Sequence, residues 1–285
     1  MWCRIEFLHH DRACQPSMEH YQVILAYDGS RYKGFQRQAN ARTVQGVVED
    51  ALRKLNWHGR SILAAGRTDT GAHATGQVIA FQLEWDHAPE RLLQALNNHL
   101  PSDVVAREVK QVPASFHPRY DASWRRYLYR IYCQPVRDPL LEPYAWRVWP
   151  AVEMDALQAT AHAVIGKHDF SAFGTPPQGG TNTVRCVLAS GWKPEASSVI
   201  YEVTAQAFLY HMVRRLVFMQ VKIAQGELQH ADLLNALQDR NGDLDVDVPE
   251  TKSTRRLVHG LAPARGLILA EVGYHSQVTG LTEDK

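Results

Sequence analysis

Cysteine is scarce in this chain of 285 residues: Cys3, Cys14, Cys133 and Cys186 form no C-x-x-C pair and no dense framework. Such usage points to a reducing compartment and argues against a thiolate zinc site. His73, His117, His168 and His211 are scattered, with no H-x-x-x-H or H-E-x-x-H spacing among them, so no metal is expected. A P-loop and a dinucleotide fingerprint are both absent, so no cofactor is expected either. No apolar run approaches the roughly 20 residues needed to cross a bilayer. The opening residues 1–17 mix charge, histidine and two cysteines without the apolar centre of a signal peptide. No membrane association and a cytoplasmic location follow as expectations. An excess of one charge is missing too, because 31 Lys and Arg face 30 Asp and Glu. Positive charge for a polyanionic partner would therefore have to be clustered.

What the chain does have is an ordinary globular composition, 45% hydrophobic and 21% charged, at a length that suggests two domains or one large one. Residues 1–17 read as a disordered N-terminal tail ahead of the first strand, Tyr21 to Tyr27. Asp28-Gly29-Ser30 is a turn signal, and Thr43 is placed to cap a helix carrying Val44, Val47, Val48, Ala51, Leu52 and Leu55 on one face. A strand over Gln77 to Phe81 and a helix over Glu90 to His99 follow. Beyond Pro113 to Pro118, strands are expected at Trp124 to Tyr132, Thr183 to Trp192, Val199 to Phe208 and Gly266 to Tyr274. Helices are expected at Met154 to Ile165 and Leu209 to Ala224, with a loop at 174–182. The reading is an α+β fold of two similar domains, 18–115 and 116–285. Each would be a mainly antiparallel sheet with helices on one face, and the active-site cleft would lie between them.

Three stretches carry chemistry. Gly66 to Ala74 (GRTDTGAHA) sets Asp69 in a charged, glycine-punctuated loop between apolar segments, where a reactive group can be held on a rigid frame. Asp-Thr-Gly-Ala is also an aspartic-protease run, but those enzymes share one proton between two carboxylates. Arg67, two residues before Asp69, opposes proton sharing, and no second Asp-Thr/Ser-Gly occurs. The run His117 to Arg130 interleaves four arginines with four aromatics, as phosphate contacts and base stacking require. Strand alternation puts Arg125 and Tyr127 on one face and Trp124, Arg126 and Arg130 on the other. Finally, Phe208 to Ile223 is apolar on nearly every side yet holds Arg214 and Arg215. A buried arginine needs an anionic partner, and Asp69 is the candidate.

Together these runs resemble tRNA pseudouridine synthases of the TruA type, from about Tyr21 to about Tyr274. The similarity is carried by Tyr27-Asp28-Gly29, Gly34 to Gln38, Thr43 to Gly46, the Gly66 to Ala74 loop, Asn97 to Pro101 and Phe116 to Arg119. It continues through Arg125-Arg126-Tyr127, His168-Asp169-Phe170, Ala207 to Arg214 and Ala264 to Leu267. The resemblance implies an isomerase without cofactor or metal that converts uridine to pseudouridine in the anticodon stem-loop of tRNA, at positions 38, 39 and 40. It implies Asp69 as nucleophile, Tyr127 packing on the target base and a candidate for removing the C5 proton, and Arg214 pairing with Asp69. Substrate contacts are expected from Arg67, His73, Arg125, Arg126 and Arg37 as well as Tyr127, and a homodimer is expected. Thr70 and Ala72 stand where the family usually has alanine and valine, and Phe35 where tryptophan is common. A non-catalytic RNA-binding module and, further off, an aspartic protease are the alternatives.

Overall fold

The computed structural model describes residues 18–176, 180–237 and 258–274. The tail expected at 1–17 lies outside the described residues. In chain order the elements are β1 (Met18–Tyr27), α1 (Val44–Arg53), β2 (Leu63–Ala64), β3 (His73–Glu84), α2 (Pro89–His99) and β4 (Val104–Gln111). Then follow β5 (Ala122–Tyr132), β6 (Trp146–Arg147), α3 (Met154–Ala163), β7 (Gly166–Asp169), β8 (Val184–Glu195) and β9 (Ser198–Ala205). The last are α4 (Met212–Ala224), α5 (His230–Leu237) and β10 (Leu267–Tyr274).

The strands form one sheet in the order β4-β1-β3-β10-β5-β9-β8-β7, with β2 added to β3 and β6 to β5. Pairing is antiparallel except for β10 with β3 and β5 with β6. The fold is α+β, as the sequence implied. The final strand closes the sheet by running between the two halves of the chain.

Directly opposed residues point to one face of a sheet. The register Val104–Tyr27–Ala74–Leu269–Tyr127–Val203 therefore draws a row of side chains across the middle of one face. Two hydrophobic cores meet along that row. One gathers Tyr27, Ala74, Val104 and Leu269 with Val44, Val48 and Leu52 of α1 and Leu92 and Leu96 of α2. The other gathers Val203, Tyr201 and Trp192 with Leu157 of α3, Leu216, Val217 and Val221 of α4, and Leu233 of α5. Tyr127 packs against both. The helices thus lie over one face in two groups, and the seam between the groups is where a cleft can open.

Local chemistry sets the element ends. Thr43 caps α1 as expected, its Oγ1 accepting the Gly46 N–H at 3.3 Å. Pro89 starts α2 at a position where its missing N–H costs nothing. In α4, most side chains from Met212 to Ala224 are buried, which accounts for the helix being apolar on nearly every side. However, α4 begins at Met212 and not at Leu209, because His211 adopts a left-handed backbone (φ 67°) and Tyr210 bridges to Thr175. Arg214 consequently sits in the first turn of α4 and not in its middle.

Candidate active site

The Asp69 loop is pinned from below by the chain that follows β1. Phe35 N–H donates to the Thr68 carbonyl (3.1 Å), and Gly71 N–H to the Tyr32 carbonyl (3.3 Å). Tyr27 Oη and Thr68 Oγ1 lie 2.8 Å apart, and Gln77 Nε2 donates to the Gly66 carbonyl at 3.0 Å. Two glycines make this approach possible. A Cβ at Gly29 would lie 1.8 Å from the Ala72 carbonyl oxygen, and one at Gly34 (φ 89°) 2.9 Å from the Thr68 oxygen. The YDG and GFQ runs of the sequence are therefore the cradle of the loop.

Asp69 faces the start of α4. Arg214 Nη1 donates to Asp69 Oδ2 at 2.5 Å, and Arg214 Nε donates to the Ala262 carbonyl at 2.7 Å. His211 Nε2 is 3.4 Å from the same Oδ2. Arg214 and His211 thus converge on Oδ2, while Oδ1 has no hydrogen-bond partner among the described residues. A helix N-terminus favours an anion, so the dipole of α4 and the Arg214 guanidinium act on the carboxylate in the same sense. Burial lowers the His211 pKa, against a smaller upward pull from Asp69, so the imidazole is neutral at pH 7.

The loop and α4 face each other over a cleft of about 1130 Å³. Its lining includes Tyr127, Leu267 and Leu269 from the central strands, and Phe208, whose ring meets Tyr127 edge-on at 5.0 Å. Burial, opposed by Arg125 and helped by Asp69, brings the Tyr127 phenol up to about 12. Its hydroxyl is protonated at neutral pH. The charges of the lining are lopsided: Arg67, Arg119, Arg125, Arg185 and Arg214 against the single carboxylate of Asp69. A chain with a net charge of +1 has gathered its surplus here.

The structure brings together five of the residues singled out by sequence: Asp69, Tyr127, Arg214, Arg67 and Arg125 all line the cleft. Arg67 is exposed and makes no ion pair among the described residues, so the cation on Asp69 is Arg214 and not its neighbour in sequence. Arg125 donates to the carbonyls of Arg119 (2.6 Å) and Gln206 (2.9 Å), which makes it a clip between loop and sheet.

The other three lie elsewhere. Arg126 is on the far face, where it ion-pairs with Glu202 and Glu271 and lies over the Trp124 ring. His73 is 5% exposed behind the loop, Nδ1 accepting the Gly29 N–H (3.1 Å) and Nε2 meeting the Arg265 carbonyl (3.1 Å). Burial lowers its pKa, although Asp28 pulls the other way, and it is neutral. Arg37 pairs at 2.5 Å with Glu49, a wholly buried carboxylate that also accepts from Gln45 and Ile62. These three hold the frame. His211, Arg185 and Tyr120 line the cleft without having been picked out as site residues. His211 reaches Asp69 from the left-handed turn ahead of α4, which helical spacing in the sequence does not reveal.

A family model described as tRNA pseudouridine synthase matches residues 23–121 and 160–275, more than half of the chain. Proteins named tRNA pseudouridine synthase A resemble it over most of their length. One from Shouchella clausii is 36% identical, covering 88% of this chain and 91% of its own. Another, from Brevibacillus brevis, is 35% identical over 90% of this chain and 100% of its own, and one from Limosilactobacillus fermentum is 33% identical over 91% and 97%. The chain belongs to the tRNA pseudouridine synthase family. Its departures from the family pattern fall around the carboxylate. Ala72 is buried against the Gly29 turn, Thr70 is exposed, and Phe35 is buried beside Tyr27 with ring centroids 6.4 Å apart. The Ala72 N–H donates to the Asp69 backbone carbonyl (3.1 Å), and among the described residues the side chains of the three take no part in the Asp69–Arg214 ion pair.

Proposed function

We propose that this family member isomerises uridine to pseudouridine in tRNA, with Asp69 as nucleophile and uridines 38, 39 and 40 of the anticodon stem-loop as targets. The observation that carries the reading is a carboxylate with Oδ2 fixed by Arg214 and Oδ1 unpartnered among the described residues, lining a cleft whose other charges are all arginine. The reaction breaks the C1′–N1 bond, turns the detached uracil and forms a C1′–C5 bond, with the proton at C5 lost and one gained at N1. An ionised carboxylate supports this as a covalent catalyst. Arg214 fixes Oδ2 in place and leaves Oδ1 to react, at the sugar or at the base.

The target base must leave its stack, and the Tyr127 and Phe208 rings offer it an apolar surface in exchange. With its phenol pushed up to about 12, Tyr127 carries its proton at pH 7. Its part is to pack on the base, and as a candidate for removing the C5 proton it would first have to give up its own. Arg67, Arg119 and Arg185, none of them in an ion pair among the described residues, supply phosphate contacts along the cleft. Arg126, His73 and Arg37 are assigned to the scaffold. The chain divides functionally into 18–115, which carries the nucleophile, and 116–285, which carries Tyr127 and Arg214. A homodimer and a cytoplasmic site of action are carried into this proposal by the family resemblance. The protease alternative finds no support in a carboxylate paired with arginine. The test is pseudouridine mapping on an unmodified tRNA transcript, with Asp69→Asn as control.

A further inference from the structure

Residues 116–121, ahead of β5, form a loop that is tied down at nearly every backbone group and yet displays a large ring to solvent. Tyr120 is 75% exposed. Its ring lies 4.2 Å from that of His117, tilted by 37°, and the Arg119 guanidinium carbon is 5.9 Å from the ring centre. All three residues border the cleft that holds Asp69. The loop itself is fixed: His117 N–H donates to Asp121 Oδ2 (2.8 Å), and Asp121 N–H returns to the His117 carbonyl (3.1 Å). The N–H groups of Arg119 and Tyr120 both reach His117 Nδ1, at 3.2 and 3.4 Å. The carbonyls of Pro118 and Arg119 accept from Tyr274 Oη (2.9 Å) and Arg125 (2.6 Å).

Nothing in this hydrogen-bonding scheme needs an aromatic side chain at 120, since only the backbone of Tyr120 takes part. Leaving the ring in water forgoes the burial that stabilises aromatic side chains elsewhere in the fold. A rigid aromatic face with a cation at its edge is the arrangement that binds unpaired bases: the ring stacks on the base and the arginine meets its phosphate. Arg119 has no ion-pair partner among the described residues, and the cleft beside it carries five arginines against one carboxylate.

We propose that Tyr120, backed by His117 and flanked by Arg119, is a stacking platform for an unpaired RNA base next to the target uridine. The proposal rests on the reading of the cleft as a tRNA site. It assigns Tyr120 to substrate binding and not to the chemical step.

The test uses the full-length protein and an anticodon stem-loop RNA carrying 2-aminopurine at one unpaired position at a time, together with steady-state kinetics on tRNA transcript. Stacking quenches 2-aminopurine. At one position, binding is expected to quench the probe with wild type and with Tyr120→Trp but not with Tyr120→Ala. In kinetics, Tyr120→Ala is expected to raise KM about tenfold to a hundredfold, with kcat changed less than about twofold, and Tyr120→Trp to restore KM to within about threefold. Tyr120→Leu, which keeps bulk without a π-face, is expected to behave like alanine. An unchanged KM in Tyr120→Ala, rescue by leucine equal to that by tryptophan, or a probe signal indifferent to residue 120 would each overturn the platform. Failure of the wild type to form pseudouridine would instead overturn the catalytic reading, because the fluorescence arm reports stacking without turnover.

Discussion

Replacing Arg214 by alanine removes the only hydrogen-bonded partner of the Asp69 carboxylate among the described residues, and leaves a group that is 18% exposed facing His211. Breaking a buried pair from one side costs about 3–5 kcal/mol, because the remaining charge loses its compensation without regaining water. This pair is close, 2.5 Å, and its members are 12% and 18% exposed, so the lower end of that range applies. The Nε bond to the Ala262 carbonyl at 2.7 Å is lost as well, worth about 1.5–3 kcal/mol for a charged donor. A small term has the opposite sign, since a cation in the first turn of α4 opposes the helix dipole by about 0.3–1 kcal/mol. The net expectation for Arg214→Ala is a loss of about 4 kcal/mol, summing the terms above. The decisive comparison is a double-mutant cycle with Asp69→Asn, read by urea unfolding. In the Asn background no carboxylate is stranded, so Arg214→Ala should cost about 2 kcal/mol less than in wild type. Equal costs in both backgrounds, within about 0.5 kcal/mol, would refute the claim that the pair is coupled.

Two further outcomes follow from the groups around the cleft. Tyr127→Phe is expected to bind tRNA within about threefold of wild type and to lower kcat, since it keeps the stacking face and loses only a protonated hydroxyl. Because the phenol is held near 12, the wild-type kcat should vary less than about threefold between roughly pH 7.5 and 9. A tenfold rise per pH unit would instead make the tyrosinate the base. Stability should depend on pH through His73, His20 and His211, whose folded pKa values burial lowers below the unfolded 6.5. Between the folded pKa and 6.5 the unfolded chain binds more protons, so their contribution is fully present above 6.5 and is lost as the pH falls through that window. The melting temperature should therefore drop from about pH 7 to pH 5, above the range of ordinary carboxylates, and His73→Gln should flatten the slope. An unaltered slope in that variant would contradict the buried, neutral assignment.

Much of this architecture is legible in the sequence because burial leaves a period. The apolar faces of α1 and α2 and the buried strands β1, β3 and β9 fall where periodicity puts them. The strand β4 escaped it. It lies at the sheet edge, with only Val104 and Ala106 buried and exposed Val105 between them, so its short burial alternation is not matched by an apolar–polar one in the sequence. The start of α4 was obscured for the opposite reason: the apolar run continues through Leu209 and Met212, and the left-handed turn at His211 carries no Gly or Asn to mark it. In the site, the Asp69–Arg214 pair was readable because an arginine in an apolar helix demands a carboxylate. Arg126, His73 and Arg37 were not, since their partners Glu271, Arg265 and Glu49 are brought to them only by the folded sheet and the α1 packing. Alternation had already set Arg126 apart from Tyr127. The sequence does not say which face bears the cleft.

The central claim is that Asp69, held by Arg214, is the nucleophile of a tRNA uridine isomerase. The most direct measurement is incubation with unmodified tRNA transcript followed by chemical derivatisation that maps pseudouridine. Wild type is expected to convert uridines of the anticodon stem-loop, and Asp69→Asn to bind the transcript while forming none. Pseudouridine formed by Asp69→Asn at a rate near wild type, or none formed by the wild type, would contradict the account.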